Sequence, residues 1–403
     1  MKIFLFALSI RILFLIFFHV FPRFPVEYQD DREVKYLAQA LATGRGFTNP
    51  YLPEAGLPSA WRTPLHSLLY ALFYACCGGS GRSYYAIIYI LNSMVSSATA
   101  SGVFLIARRW LGPGIGVVSG ILLAIYLPSV YYATNATCDT TLTAAALVGI
   151  TAGAGWLLDR LTVPRALLWG AIVGASALVN PSVLSVAGPL GLWLVLQRRA
   201  PLARRWIAIK FAAGACLVVV SPWIVRNRIV FGENVFFRSN LGVMLAAGNR
   251  DNSSDLHGRT FMPFLEGRFD RLQAAGEAVF DRECRQAAVA WIIQHPPQFL
   301  TLTLRRFVLF WTKEVIVGQF PELTVFTTGV PFALAIGGFW LLRRHAWQTL
   351  PLWAPIIAYP LVYYVTLVEA RYRFPIEPFV VVWAAVALNS LVGGCRFGNA
   401  AKS

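Results

Sequence analysis

Hydrophobic residues in this chain run in long stretches rather than at the spacings of a soluble core. Ten stretches stand out, at residues 3–21, 84–107, 115–133, 140–158, 166–179, 182–196, 206–225, 323–342, 349–367 and 376–392. Most approach the ~20 residues that a helix needs to cross the hydrocarbon core of a bilayer. Residues 166–196 are ambiguous. As one helix they would measure about 46 Å, too long for one span and short for two. Asn180-Pro181 lies at their centre, and proline disfavours helix in the residue before it. The pattern therefore predicts two short helices joined by a tight turn.

Two connections between the stretches are long, 22–83 and 226–322. In the first, Val34, Leu37, Ala38 and Leu41 recur at helical spacing, which predicts an amphipathic helix ended by Gly44 and Gly46. In the second, 299–311 is apolar but short and carries Arg305-Arg306 in its middle. It reads as an interfacial helix rather than a span. No internal repeat divides the chain. The predicted fold class is all-α: a single polytopic membrane unit over 1–403, with roughly ten transmembrane helices and two long outer connections carrying amphipathic juxtamembrane helices.

Composition agrees. Of 403 residues, 57% are hydrophobic and 13% charged, against about 25% charged in a soluble domain. The first stretch is too long for a signal peptide and lacks a small-x-small cleavage site, so it reads as an uncleaved span. Arg11 inside it must face other helices or snorkel.

Charge sets the orientation. With two helices at 166–196, the short inner segments hold Lys2, Arg108, Arg109, Arg160, Arg165, Arg198, Arg199, Arg204, Arg205, Lys210, Arg343, Arg344, Arg396 and Lys402. Asp159 is their only acid, and 18 of the 19 carboxylates fall outside or at the outer rim. A single helix would invert the later segments and expose Arg343-Arg344 outward. The positive-inside rule selects two helices and places both termini in the cytoplasm of a plasma (inner) membrane protein. The net charge of +16 then reflects orientation and contact with anionic lipid, not nucleic acid. The six cysteines form no disulfide framework, and no cysteine–histidine spacing suggests a metal.

Candidate chemistry clusters on the outer side. Asp30 shares the apolar stripe of the first amphipathic helix, whereas Asp31 is turned about 100° away, four residues before Lys35. Spacing leaves two roles open to Asp30: a cap for the helix N-terminus, and a carboxylate aimed into a cavity at the membrane surface. Arg62 and His66, around Pro64, are directed to the same cavity, although a lone histidine is more often a packed or hydrogen-bonded structural residue. Asp139 stands where the chain re-enters the membrane, a place that suits either a cap for the helix N-terminus or an acid facing the cavity. Arg226, Arg371 and Arg373 break the positive-inside rule, and a guanidinium at an outer membrane edge suits either a phosphate or a neighbouring carboxylate.

These residues, in this order, resemble the polyprenyl-phosphate-sugar-dependent glycosyltransferases of GT-C fold, such as the protein O-mannosyltransferases and lipid A aminoarabinose transferases. Asp30-Asp31 is similar to the family's acidic pair, followed by an apolar helix and Gly44-Arg45-Gly46-Phe47. Arg62-Thr63-Pro64-Leu65-His66 looks like its Arg-Pro-Pro-Leu-Tyr run, departing at Thr63 and His66. Asp139 matches a position usually held by Glu. Pro222 to Asn227, Phe231-Gly232, Gly248-Asn249 and Arg371-Tyr372-Arg373-Phe374-Pro375 also look like family motifs. The resemblance covers almost the whole chain.

The resemblance implies transfer of a sugar from a polyprenyl-phosphate donor to a lipid, glycan or protein acceptor on the periplasmic or outer side. Asp30 would be the base and Asp31 its orienting partner. Arg371, then Arg226, then Arg373 would bind the donor phosphate. Arg62, His66, Asp139, Tyr372 and Asn249 would line the substrate cavity. Attack would invert the anomeric centre, and no cofactor is implied; some relatives use a divalent metal, but nothing in this sequence looks like a complete metal site. A lipid-linked polysaccharide ligase or polymerase and a lipid or sugar flippase remain as alternative readings.

Overall fold

Every regular element among the described residues is helical, apart from one isolated bridge between Thr48 and Pro58. The computed structural model describes residues 1–20, 31–198, 200–251, 253, 257–312 and 325–392.

Helix α1 (Lys2–Val20) buries Arg11 completely. Its guanidinium donates to Ser96 Oγ (2.9 Å), Ser129 Oγ (2.9 Å), Ala7 O (2.9 Å) and Ala124 O (3.1 Å). Arg11 thus faces other helices, as its cost in lipid requires. Helix α2 (Asp31–Ala42) buries Val34, Leu37 and Ala38 and packs on α3 (Pro64–Cys77). It stops where predicted, with Gly44 at φ 77°, a conformation that glycine reaches without strain.

Helix α4 (Arg82–Leu111) packs against α1 and against α5 (Pro113–Ile125), which is followed by α6 (Leu127–Asn135). The sequence presented 115–133 as one stretch, but α5 and α6 bend by 47°. Pro128 has no N–H to return to Ala124 O, and Arg11 takes that carbonyl instead. Next come α7 (Thr140–Asp159), α8 (Val163–Ala177), α9 (Leu184–Leu196) and α10 (Leu202–Phe231). The break between α8 and α9 falls at Asn180-Pro181 as predicted, and the Asn180 side chain caps it by accepting from Ser182 N (3.0 Å).

Helices α8 and α10 pack backbone to backbone. A Cβ on Gly170 would lie 1.9 Å from Ala212 O, and one on Gly174 2.9 Å from Cys216 O. Small residues four apart allow this approach. Pro222 lies inside α10 without breaking it, because Ser221 Oγ donates to Val218 O (2.9 Å), the carbonyl that Pro222 leaves unpaired.

The second long connection folds into α11 (Leu241–Gly248), α12 (His257–Glu266), α13 (Phe269–Ala275), α14 (Glu277–Gln294) and α15 (Pro296–Thr312). In α15 the residues Leu300, Leu304, Phe307 and Val308 are exposed while Arg306, Phe310 and Trp311 are buried. This is the amphipathic helix expected at 299–311. The chain then runs through α16 (Val330–Leu342), α17 (Leu350–Ala358), α18 (Leu361–Val365), α19 (Ala370–Arg373) and α20 (Glu377–Leu391). Helix α20 is almost wholly buried and packs on α16 and α17.

Among the described residues, four helices are by length and composition able to cross a membrane: α4, α7, α10 and the run Ala370–Leu391. The bent pair α5–α6 makes a fifth, and shorter apolar helices, including Val163–Ala177, Pro181–Leu196 and Leu350–Val365, accompany them. The protein is therefore an all-α polytopic membrane protein. Several of the ten sequence stretches appear as short or broken helices instead of straight spans.

Candidate active site

At one end of the bundle, the N-terminus of α7, the break between α8 and α9, the segment after α10 and the approach to α20 surround a cavity of about 440 Å³. Helix α2 presents Glu33 to it. Glu33 is buried and accepts from the Tyr51 hydroxyl and from Arg62. Arg62 comes from the turn before α3, held there by Pro64 at the helix start and by Thr63 Oγ donating to Val179 O (2.7 Å).

Arg62 also reaches Asp139 Oδ1 at 3.5 Å. The second Asp139 oxygen accepts from Arg238 (2.9 Å) and from Asn180 Nδ2 (3.2 Å). Tyr51, Glu33, Arg62, Asp139 and Arg238 thus form one alternating chain of acid and base, drawn from three regions distant in sequence. Burial opposes the charge on Asp139, but Arg238 and Arg62 outweigh it and hold the carboxyl below its ordinary range. Burial likewise opposes the charge on Arg62, and Glu33 followed by Asp139 more than restores it.

A second group of lining residues is aromatic and cationic. Tyr372 stacks on Tyr363 with ring centres 4.5 Å apart. The Tyr363 hydroxyl lies 3.1 Å from that of Tyr359 and 3.4 Å from Ser182 Oγ. Arg371 forms an ion pair through Nε with Glu369 (2.7 Å), and its guanidinium lies 5.4 Å from the centre of the Tyr372 ring. Glu233, at the cavity, pairs with Arg282 of α14.

Of the residues singled out from sequence, Arg62, Asp139, Arg371 and Tyr372 line this one cavity. Four others are placed elsewhere. His66 is buried, with its ring 4.2 Å from Tyr70 and its Nε2 3.2 Å from Thr137 O. That carbonyl requires an N–H, so the ring supports the segment leading into Asp139 rather than the cavity. Burial pushes its pKa down to about 4. Arg226 sits among the rings of Phe47, Trp223 and Phe231 and donates to Ser59 O (2.8 Å).

Arg373 is buried, donating to Glu377 (2.6 Å), Phe310 O (2.8 Å) and Thr328 Oγ1 (2.8 Å). Asn249 ties the end of α11 to Val365 O (2.9 Å) and accepts from Arg306 (3.1 Å). Asp30 and the side chain of Asp31 lie outside the described residues; Asp31 is the first residue of α2.

The sequence reading missed Glu33 and Arg238. Glu33 stands four residues before Leu37 and seven before Ala40, so it shares their face of α2. Arg238 is a cation in the same long connection as Arg226, with no neighbouring motif to mark it.

Among the described residues, no group of three or more His, Cys, Asp or Glu side chains is placed to hold a metal. Glu33 and Asp139 are each turned toward arginine, which cancels the negative potential that a divalent cation needs. The described lining does not fit such an ion.

Residues 61–225 match the sequence model of the family described as dolichyl-phosphate-mannose-protein mannosyltransferase. No curated protein matches the chain. Among solved structures, the oligosaccharyltransferase of Archaeoglobus fulgidus in complex with Zn and sulfate superposes with a TM-score of 0.57 at 13% identity, covering 97% of this chain and 50% of its own. The A. fulgidus AglB complex with an inhibitory peptide and a dolichol-phosphate gives 0.55 at 12% identity, with 97% and 50% covered.

ArnT from Cupriavidus metallidurans bound to undecaprenyl phosphate gives 0.56 at 16% identity, with 95% and 59% covered. This chain spans 50 to 59% of the length of those proteins. At these identities the likeness is one of fold. The resemblance to GT-C glycosyltransferases with polyprenyl-phosphate donors holds in sequence over 61–225 and in fold over nearly the whole chain.

Proposed function

We propose that this GT-C-fold chain is a membrane glycosyltransferase that moves a sugar from a polyprenyl-phosphate donor to an acceptor hydroxyl at the cavity, on the outer side of the membrane. One observation carries the reading: Arg371 and the acidic helix α2, through Glu33, converge on a single cavity. The named complexes of related fold, with dolichol-phosphate and undecaprenyl phosphate, support a lipid-phosphate ligand here. The acceptor belongs to the lipid, glycan or protein classes.

The reaction needs a base for the acceptor and a counter-charge for the leaving group. Arg238 and Arg62 hold the Asp139 carboxyl below its ordinary range, which makes it a weak base, and Glu33 is already engaged by Arg62 and the Tyr51 hydroxyl. The base is therefore assigned to Asp30, with Asp31 orienting it. The acceptor O–H gives its proton to Asp30 as the new O–C1 bond forms on the face opposite the leaving group. The C1–O bond to phosphate breaks, the anomeric centre inverts, and polyprenyl phosphate leaves with one additional negative charge. Arg371, which lines the cavity, is the proposed counter-charge for it. Arg226 and Arg373, the second and third choices from sequence, are engaged by aromatic rings and by Glu377 away from the cavity lining.

The test is transfer by purified protein, with mass spectrometry of lipid-linked sugars and envelope glycans in a deletion strain to name donor and acceptor. A positioned base supplies roughly 10²–10⁴-fold, so Asp30→Asn should retain less than about a tenth of wild-type kcat. More than that removes the base assignment. Arg371→Ala should impair donor use more than acceptor use, and equal losses refute its phosphate role.

A further inference from the structure

Beside the cavity, but outside its lining, Glu277 opens α14 with its carboxylate buried. Its Oε2 accepts from Asn49 Nδ2 (2.7 Å). Its Oε1 accepts from the backbone N–H of Ala60 (2.7 Å), from Ser59 Oγ (3.2 Å) and from the Ser239 hydroxyl. Asn49, Ser59 and Ala60 belong to the first long connection, Ser239 and Glu277 to the second. Asn49, Ser59 and Ser239 are themselves buried.

The same two strips of chain are joined at two further points, and the end of α10 adds a third contact to the first strip. Ser239 N donates to Ala60 O (3.1 Å), Asn240 Nδ2 to Trp61 O (3.3 Å) and Arg226 to Ser59 O (2.8 Å). Ala60 lies two residues before Arg62, and Ser239 directly follows Arg238. The carboxylate therefore sits where the segments bearing both arginines of the Asp139 cluster meet.

We propose that Glu277 is a positioning residue, an anionic clasp that joins the two long connections so that Arg62 and Arg238 converge on Asp139. The inference rests on the transferase reading for its consequence, but not for its geometry. An ionised carboxylate accepts only, which suits four donors arriving from two strips. A glutamine in the same place turns an N–H₂ toward one of the two donor sets and leaves donors facing donors. Burial raises the pKa of Glu277, and the four donors act against that rise. The charged group from a neighbouring helix that acts on it is Arg226 of α10.

The experiment uses the full chain in lipid nanodiscs and compares wild type with Glu277→Gln by hydrogen exchange and steady-state transfer. Exchange should rise together in peptides covering 57–62 and 235–240. The kcat should fall about 10- to 100-fold, the scale of a catalytic group displaced by about 1 Å, while donor KM moves less than about threefold. Glu283→Gln, which breaks an exposed pair with Arg271, should change neither readout. Unchanged exchange in either peptide, or a kcat within about twofold of wild type, overturns the clasp.

If Glu277→Gln does not fold, Asn49→Ala and Ser239→Ala each remove one donor. Either should raise exchange in both peptides, and local exchange at the mutated strip alone overturns the proposal. Coupled exchange in a protein that turns over no polyprenyl-phosphate sugar would keep the clasp and refute the transferase reading.

Discussion

Asp139 is the electrostatic centre of the site, since two arginines and Asn180 from three different segments meet on one carboxylate. Removing one member of a buried ion pair typically costs about 3–5 kcal/mol, because the partner stays buried without compensation. Asp139→Asn should lower the melting temperature markedly as well as activity, whereas Asp139→Glu keeps the charge and loses less; equal losses would show that charge is not what matters. His66 beside it acts through its neutrality. The folded ring stays neutral down to about pH 4, while an unfolded histidine takes up a proton below about 6.5. Stability should therefore fall as pH drops from about 6.5 toward about 4, with no contribution above that range. The carboxyl of Asp139, held below its ordinary value, adds its own loss only at still lower pH. Thermal melts of wild type and His66→Gln across that window check the assignment, and the variant should show the shallower acid slope. Sequence pointed to Arg62, Asp139, Arg371 and Tyr372 because each sits in a motif at a helix end. His66, Arg226, Arg373 and Asn249 carry the same kinds of motif but lie outside the cavity lining, because their partners, such as Thr137 O, the Phe47 ring, Phe310 O and Val365 O, come from elements far along the chain.

The elements show why hydrophobic length reads more easily than hydrophobic shape. Two prolines, Pro128 and Pro222, lie within apolar stretches that look alike. Each leaves a carbonyl four residues earlier without its helical partner. Beside Pro222, the neighbouring Ser221 fills the gap from within its own helix and α10 continues. Before Pro128, the gap is filled by Arg11 from α1 and the chain bends. Local rescue can be read from adjacent letters, but rescue by a distant arginine cannot. Asn180-Pro181 was legible because asparagine caps the turn that proline forces. The contact between α8 and α10 can be tested directly. Gly170→Ala would bring a methyl to 1.9 Å from Ala212 O, where only backbone could yield. Overpacking of this kind costs about 1–3 kcal/mol, and thermal melting should show it clearly. Gly214 in α10 has nothing within 4 Å of a Cβ, so Gly214→Ala should leave the melt unchanged or raise it. Equal effects at both positions would mean that the helix pair is not set by close backbone approach.

For the whole molecule, the decisive matter is which end of the bundle faces the cytoplasm. One end gathers Arg109 with Asp159, Arg165 over Trp156, Arg205 on Val195 O and Arg343 on Trp340 O. These cations mostly satisfy helix-end carbonyls or cover aromatic rings, with Asp159 as their carboxylate partner. The other end holds the cavity and its interleaved carboxylates and arginines. A surplus of cations at one end is the mark of a cytoplasmic face, and lipid-linked donors presented on the opposite face would meet the cavity. The proposed transfer on the outer face therefore requires this orientation. In a background with the six cysteines changed to serine, Gln273→Cys on α13 and Arg344→Cys at the opposite end are both at exposed positions. An impermeant thiol reagent added to intact cells should label position 273 and leave 344 unlabelled until lysis. The reverse pattern would turn the cavity inward and remove the outer-face transferase reading, whatever the chemistry of its arginines.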